Sequence, residues 1–164
     1  METGNLPTVS GKNSVALRVT NRYGDFNNFL STFRPDKLIR YTNERKKCFM
    51  GTAPSLVSVK IAYGDNVAES WIMGQLKAFC KQCNVRTELD VNQLENMSKL
   101  ILGSYPYLKC TEFMYFIRMC MIGYYGKYFG VLESVRVMED LMDFAFKYRR
   151  RVIEQYEQED KYED

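Results

Sequence analysis

Apolar side chains recur every three or four residues through most of residues 52–159, in segments separated by glycine-containing breaks. In one such segment Trp71, Ile72 and Leu76 are placed in this way. This spacing puts apolar residues on one face of an α-helix, and that face must be buried against other helices. The sequence therefore predicts an all-α fold, a compact bundle of about five helices.

The bounds of the five helices follow from proline near a first turn and from glycines between segments. The predicted helices span about residues 54–63, 65–83, 90–102, 109–122 and 133–159. Their short connections favour helices that pack side by side. We assign residues 52–159 to this helical domain and residues 160–164 to an acidic tail.

Residues 1–51 have a different pattern, because polar residues, glycines and prolines interrupt any long apolar period. Alternating apolar residues predict a short strand over 14–20. Apolar residues at helical spacing predict a short helix over 26–33, which must end before Pro35. The sequence thus predicts an irregular N-terminal arm, which wraps the helical domain or becomes ordered only on a partner.

The expected compartment is the cytoplasm. No run approaches the roughly 18 apolar residues that a membrane span needs, and residues 1–11 lack the apolar core of a signal peptide. The chain has five cysteines, an odd number that indicates reduced thiols. We expect a soluble protein with no membrane partner.

Several classes of enzyme are excluded by the absence of histidine. Ser-His-Asp and Cys-His catalysis both need histidine, as do histidine metal sites. A phosphate-binding loop is also absent, because Gly126-Lys127 is followed by tyrosine and Met121 occupies the place of the first glycine. We therefore expect a protein that is not an enzyme and that uses no cofactor.

A metal site is not expected either. Cys80 and Cys83 form a C-x-x-C pair, but Cys110 and Cys120 are too far apart in sequence to supply the second pair of a zinc site. Buried reduced thiols are the favoured interpretation of these cysteines, and a redox dithiol is the alternative. Acidic residues at 139–143 are interpreted as the solvated face of a helix.

The net charge of +3 is small, but its distribution is uneven. The first 50 residues contain nine Lys or Arg and four Asp or Glu. Two clusters of consecutive cations occur, namely Arg45, Lys46 and Lys47, and then Arg149, Arg150 and Arg151. Such clusters can bind phosphate groups. Their other interpretation is a solvated helix face or a charged tail.

A loop of glycine and aromatic residues lies between the last two predicted helices, with the sequence GYYGKYFG at residues 123–130. It has three interpretations. In the favoured one, the glycines allow a tight corner with the rings packed beneath. In the second, Lys127 meets a phosphate while nucleic-acid bases stack on the rings of Tyr124, Tyr125, Tyr128 and Phe129. In the third, the rings are anchors for a protein partner.

The loop and scattered residues between about 55 and 156 support a resemblance. These residues are Leu56, Ala62-Tyr63-Gly64, Trp71-Ile72, Phe79-Cys80, Leu100-Ile101-Leu102, Tyr107-Leu108-Lys109, Glu112-Phe113, Gly123, Tyr125-Gly126-Lys127, Phe129-Gly130, Phe144 and Arg149. In this pattern the chain resembles an uncharacterised family of small helical proteins encoded by gut-bacterial (Bacteroides-type) genomes, their mobile elements and phages. It departs from that family where Glu133-Ser134 replaces an Asp-Pro.

The family that the chain resembles has no agreed activity. Its members are similar in style to phage helicase loaders and replisome organisers. We therefore expect a non-enzymatic adaptor of phage or mobile-element DNA replication, which binds a replication protein, DNA or both in the host cytoplasm. The expected contact residues are Tyr124, Tyr125, Lys127, Tyr128, Arg149, Arg150, Arg151, Arg45, Lys46 and Lys47. The alternative is a phage structural or interaction protein, such as a virion component or host-factor inhibitor, without a nucleic-acid role.

Overall fold

The amphipathic patterns form α-helices in a computed structural model that describes residues 9–83, 89–126 and 133–163. The helices are α1 (Val9–Tyr23), α2 (Phe26–Thr32), α3 (Leu38–Thr42), α4 (Arg45–Met50), α5 (Leu56–Tyr63), α6 (Asp65–Cys83), α7 (Val91–Ser104), α8 (Cys110–Met121), α9 (Ser134–Asp143) and α10 (Arg149–Glu163). A 3-10 turn, Pro35–Lys37, precedes α3, and a π-helical segment, Phe144–Tyr148, joins α9 to α10. No strand forms within the described ranges, so the all-α prediction is confirmed.

The N-terminal segment is also helical, and the prediction of an irregular arm is wrong for residues 9–50. The short helix predicted over 26–33 within that arm is confirmed as α2. The predicted strand over 14–20 lies inside α1, where Val15, Val19 and Tyr23 are four residues apart and pack into the core. Leu17, which completed the strand-like alternation, is 61% exposed. The fold consequently contains more helices than the predicted five.

Polar contacts also join this N-terminal segment to the helices that follow it. The carbonyl oxygen of Phe33 accepts hydrogen bonds from Trp71 Nε1 at 2.9 Å and from Gln75 Nε2 at 3.0 Å. The hydroxyl of Tyr63 donates to the carbonyl oxygen of Gly24 at 2.7 Å. These donors belong to α5 and α6, so the bonds hold the N-terminal segment against both helices. The buried apolar residues of the first helices and of the later ones form one hydrophobic core.

The predicted helices of residues 52–159 are confirmed, except that a π-helical segment divides the last one into α9 and α10. Helix α10 continues to Glu163, so the predicted acidic tail of residues 160–164 is mostly helical. Side chains cap the starts of α5 and α7. Asp90 and Gln93 form a capping box at the start of α7, where each side chain accepts a hydrogen bond from the other residue's backbone N–H. Ser55 caps α5, so this helix begins at Leu56 rather than at the predicted Pro54. None of the described helices is long and apolar enough to cross a membrane.

Helix α8 occupies the centre of the fold. Nine of its 12 residues are buried, so neighbouring helices cover it on nearly all sides. Its Phe116 ring contacts that of Phe144 at 5.4 Å between centroids, and Phe144 in turn contacts Phe49 of α4 at 5.9 Å. Aromatic contacts thus connect the N-terminal, central and C-terminal helices, in the tilted arrangements that such rings prefer.

The π-helical segment keeps one apolar face continuous from α9 into α10. Val137 and Tyr156 are both buried, although they are 19 positions apart in sequence. At 3.6 residues per turn a regular α-helix would place them roughly 100° apart. The wider π turn contains one residue more than an α turn, so Val137 and Tyr156 both face the core. It also brings Tyr148 and Arg149 against α8 and α4.

Candidate functional site

Residues from both cation clusters and from the glycine-aromatic loop meet on one side of α10, beside two further tyrosines. We name this surface the tyrosine–arginine face; its residues are Arg45, Lys46, Tyr124, Tyr148, Arg151 and Tyr156. The helices α4 and α10 pack against each other here, and the turn after α8 lies beside them. Tertiary packing therefore brings together side chains that the sequence keeps about 110 residues apart.

Arg45 forms the interior part of this face. Its Nε donates a 2.9 Å hydrogen bond to the hydroxyl oxygen of Tyr156, and its Nη1 donates one of 3.3 Å to that of Tyr148. These bonds, led by that to Tyr156, raise the pKa of Arg45 above its already high usual value. The guanidinium therefore stays charged, but these N–H groups donate to tyrosines of the protein itself.

The outer part of the face carries two further cations. Lys46 lies over the ring of Tyr156 at 5.8 Å and pairs with Asp160 at 2.7 Å, in an exposed salt bridge. The guanidinium of Arg151 lies over the ring of Tyr148 at 5.5 Å and is exposed. Exposed ion pairs are weak, so Lys46 and Arg151 remain able to meet an external anion.

The two tyrosines at the start of the glycine-aromatic loop have opposite orientations. Tyr125 points inward, as the favoured interpretation predicted: its ring contacts Phe116, and its hydroxyl is buried without a hydrogen-bond partner in the described part of the chain. Burial raises the pKa of Tyr125. Tyr124 is 52% exposed and places its ring edge-on to Tyr148 at 5.7 Å.

The beginning of this loop is a tight corner. Gly123 and Gly126 have φ angles of +83° and +94°, which favour glycine. Arg136 of α9 donates a 2.9 Å hydrogen bond to the carbonyl oxygen of Tyr125, which attaches the corner to the next helix. The predicted contact residues Lys127 and Tyr128 lie outside the described residues.

The three consecutive arginines of the second cluster point in different directions. Arg149 faces the interior, where its Nε donates to Glu112 Oε2 at 2.8 Å, and its guanidinium lies over the ring of Tyr107. Glu112 is fully buried. Burial raises the pKa of Glu112, and the hydrogen bond from Lys109 N–H and the charge of Arg149 oppose this effect. Arg150 is exposed nearby.

A second concave surface lies between α1, α3, α4 and residues 51–55, and the sequence analysis missed it. It consists of two adjoining cavities of about 300 and 450 Å³, which share Arg22, Tyr23, Thr52 and Ala53. We name it the basic groove. Its charged lining residues are Arg18, Arg22, Arg40, Glu44, Lys47 and Lys109.

The basic groove has a strong excess of positive charge. Five cations and one carboxylate line it, and none of the five forms an ion pair within the ranges that the structure describes. Lys109 donates a 2.6 Å hydrogen bond to the carbonyl oxygen of Phe49, whereas the other four are exposed. Cations concentrated in a concave surface attract anions strongly.

The groove could have been suspected from one feature of the sequence. The basic excess of the first 50 residues was noted, but only Lys47 of the groove was among the predicted contact residues. Arg18 and Arg22 are four residues apart and therefore lie on one face of α1. The strand predicted over 14–20 ends before Arg22, so it does not place the two arginines on one element.

The described residues include no group of three or more Cys, Asp or Glu side chains that could hold a metal ion. Cys48, Cys80, Cys110 and Cys120 are buried, and Cys83 is half-buried. Burial raises the pKa of the Cys48 and Cys83 thiols to about 11. Both cysteines are therefore almost entirely protonated near neutral pH.

Cys83 is expected to react slowly with iodoacetamide in the native protein. With a pKa of about 11, its thiolate fraction at pH 8 is about 0.1%, against about 24% for an ordinary thiol. The higher nucleophilicity of the more basic thiolate offsets part of this difference, so we expect a rate about 20-fold below that of a free cysteine. Time-resolved alkylation followed by peptide mass spectrometry measures it, with Cys83→Ser as control. Rapid Cys80–Cys83 disulfide formation under mild oxidant would instead favour the redox dithiol.

The described residues thus define an all-helical protein with an anion-attracting groove and a separate tyrosine–arginine face. Residues 88–164 match the model of DUF6633, a family of unknown function. Comparisons with curated proteins and with solved structures give no match. The matched range contains most of the tyrosine–arginine face, whereas four of the five groove cations precede it.

Proposed function

We propose that this protein is a non-enzymatic adaptor that binds nucleic acid through its basic groove, in phage or mobile-element DNA replication in the host cytoplasm. One observation carries the proposal: five cations line a single concave surface and have no carboxylate partner among the described residues. The phosphate backbone of nucleic acid is the polyanion that such a surface attracts. The replication setting rests on the resemblance of residues 55–156.

The charge of the groove sets the expected salt dependence. Four exposed cations, Arg18, Arg22, Arg40 and Lys47, can each replace a counterion on a phosphate. The logarithm of the association constant should then fall with the logarithm of salt concentration, with a slope of roughly −3 to −4. Between 50 and 200 mM salt this slope corresponds to an affinity loss of about 60- to 250-fold.

Fluorescence anisotropy of a labelled 20-nucleotide strand, and of the matching duplex, tests the proposal at these two salt concentrations. Replacing Arg22, Arg40 and Lys47 together by glutamine should weaken binding at least about tenfold. It should also make the salt slope shallower by about 2 to 3, because three phosphate contacts are lost. All three side chains are exposed, so the variant should retain its helical circular-dichroism spectrum.

A matched control removes the same charge elsewhere. Lys77, Lys81 and Lys161 are exposed and lie outside the basic groove. Their triple glutamine variant should bind nucleic acid within about twofold of the wild type, with only a small change of the salt slope. Equal losses in both variants, or no binding by the wild type even at 20 mM salt, would refute the groove as a nucleic-acid site.

A second candidate function, a protein-interaction role without nucleic acid, has one observation in its favour. Met121, Ile122 and Tyr124 are exposed together at the end of α8, with Ile122 71% exposed. Adjacent exposed apolar side chains are typical of protein-binding surfaces. An adaptor can use this corner for a replication protein while its groove holds nucleic acid, so the two functions are compatible.

A further inference from the structure

The basic groove contains aromatic rings as well as cations. Phe33 and Tyr41 line the smaller cavity, Tyr107 lines the larger one, and Tyr23 lines both. Tyr23 and Phe33 are buried, but Tyr41 is half-buried and Tyr107 is 38% exposed. Each cavity therefore offers one accessible ring, and the Tyr41 ring is in tilted contact with that of Phe33 at 5.0 Å between centroids.

Cations lie directly beside these rings. The guanidinium of Arg40 is 5.8 Å from the centroid of the Tyr41 ring, and that of Arg22 is 5.7 Å from the Tyr23 ring. Lys47 lines the same cavity. Arg40 is exposed, so its side chain has room to turn from the ring towards a phosphate. Ring and cation are thus close enough to contact one small ligand at the same time.

The size of the groove decides between a duplex and an unpaired nucleotide. Its cavities of about 300 and 450 Å³ are at the lower end of the range for small-molecule sites. A duplex presents phosphates on a convex exterior and keeps the faces of its bases stacked inside. It can touch cations at the rim, but it cannot place a base face on Tyr41.

We propose that the smaller cavity holds an unpaired nucleoside-phosphate unit, with its phosphate at Arg22, Arg40 and Lys47 and its base against the ring of Tyr41. This inference rests on the proposed function and specifies the ligand unit of the same groove. Asn43 and Thr52 line the cavity and are exposed, so their amide and hydroxyl groups can supply hydrogen bonds to sugar and base. Positively charged grooves with stacking rings are the ordinary means of holding single strands.

The larger cavity extends this arrangement to a second unit of a strand. Arg18 and Lys109 line it together with Tyr107, and Arg22 belongs to both cavities. A cation shared between two ring-bearing cavities is suited to the phosphate that joins two nucleotides. The unit bound in the smaller cavity can come from a free nucleotide or from a strand, and the two sources predict different relative affinities.

The test measures equilibrium binding of the full chain to four probes at 100 mM salt: inorganic phosphate, a deoxynucleoside monophosphate, a ten-nucleotide single strand and a duplex of the same length. We expect the single strand to bind at least tenfold tighter than the duplex. The mononucleotide should displace it at concentrations at least tenfold below those that phosphate needs. A mononucleotide that binds more tightly than the strand would support the site with a free nucleotide as its source.

Substitution of Tyr41 separates stacking from charge. Tyr41→Leu should weaken single-strand binding by about 5- to 150-fold, the range seen when a stacking ring is removed, and leave duplex binding within about twofold. Tyr41→Phe keeps the ring and should bind the single strand within about twofold of the wild type, which separates loss of stacking from misfolding. Tyr162→Leu, at a 90% exposed tyrosine of α10, is the matched control and should change nothing.

The outcomes distinguish this inference from the function on which it rests. If single strand and duplex bind equally, and Tyr41→Leu changes neither affinity, the groove contacts only phosphates. The nucleotide site is then refuted, whereas the proposed nucleic-acid binding stands. If no nucleic acid binds, both fail. Loss of binding in Tyr41→Phe as large as that in Tyr41→Leu would also overturn a stacking role for the ring.

Discussion

Replacing Arg149 by leucine is expected to lower the free energy of unfolding by about 3–5 kcal/mol. Arg149 donates a 2.8 Å hydrogen bond to Glu112, whose side chain is 0% exposed. Without it, the Glu112 carboxylate keeps only the backbone N–H of Lys109 as a hydrogen-bond donor among the described residues. A buried charge that loses its partner is strongly destabilising, far more than a broken exposed pair. Urea denaturation followed by far-ultraviolet circular dichroism measures the change.

The neighbouring arginine provides the control. Arg150 is exposed, and Arg150→Leu should change the free energy of unfolding by no more than about 0.5 kcal/mol. A loss below about 1 kcal/mol in Arg149→Leu would show that Glu112 does not depend on this partner. Adding Glu112→Gln to Arg149→Leu should restore part of the stability, since the unpaired charge is then removed.

The deficit of Arg149→Leu should also depend on pH. Burial raises the pKa of Glu112 in the folded wild type, and Arg149 opposes that rise. Removal of Arg149 should therefore raise the pKa of Glu112 further. A carboxyl with a raised pKa in the folded state stabilises the fold below its unfolded pKa and loses this contribution as pH rises through the folded pKa. The difference from the wild type should consequently be smaller at pH 4.5 than at pH 7.

Phe29→Ala is expected to lower the free energy of unfolding by about 3–5 kcal/mol, as truncation of a buried phenylalanine usually does. Phe29 of α2 is 0% exposed. Its ring contacts those of Tyr23, Phe33 and Tyr63 at centroid distances of 6.3, 5.6 and 5.4 Å. For a chain of this size the melting temperature should fall by roughly 10 °C, which differential scanning calorimetry detects readily.

The same helix contains a matched position for this experiment. Phe26 of α2 is 48% exposed, and Phe26→Ala should cost less than about 1 kcal/mol, because little apolar area returns to water on unfolding. A protein whose first 50 residues formed a loosely attached arm would tolerate both substitutions equally. A large difference between them is what a shared hydrophobic core requires.

The helices of residues 52–159 could be predicted because their apolar residues follow one period and their ends carry capping residues such as Asp90. Of the N-terminal helices only the one over 26–33, which forms α2, could be predicted, because glycines and prolines separate several short helices there. In α1 the alternation of Val15, Leu17 and Val19 matches a strand, whereas only the contact with α5 selects the helical spacing of Val15 and Val19. Tertiary packing decides between two periods that a short segment satisfies equally.

The cation clusters were visible in the sequence, but their roles were not. Consecutive residues on a helix point about 100° apart, so adjacent cations serve different surfaces. Arg45 reaches Tyr156 while Lys47 lines the basic groove, and Arg149 meets Glu112 while Arg151 lies over Tyr148. The groove cations, in contrast, come from separate elements and become neighbours only in the folded chain. Clusters in sequence and clusters in space are therefore different sets of residues.

The contact between α4 and α10 also governs when folding can finish during protein synthesis. Arg45 and the Tyr156 hydroxyl that it binds are 111 residues apart. At about 5–20 residues per second, the ribosome needs roughly 5–20 s to pass from one to the other. For most of this interval Phe49 of α4, buried in the finished fold, lacks the rings of Phe144 and Tyr148 that pack against it. The N-terminal helices are therefore the part of the nascent chain that a chaperone at the ribosome would have the longest opportunity to bind.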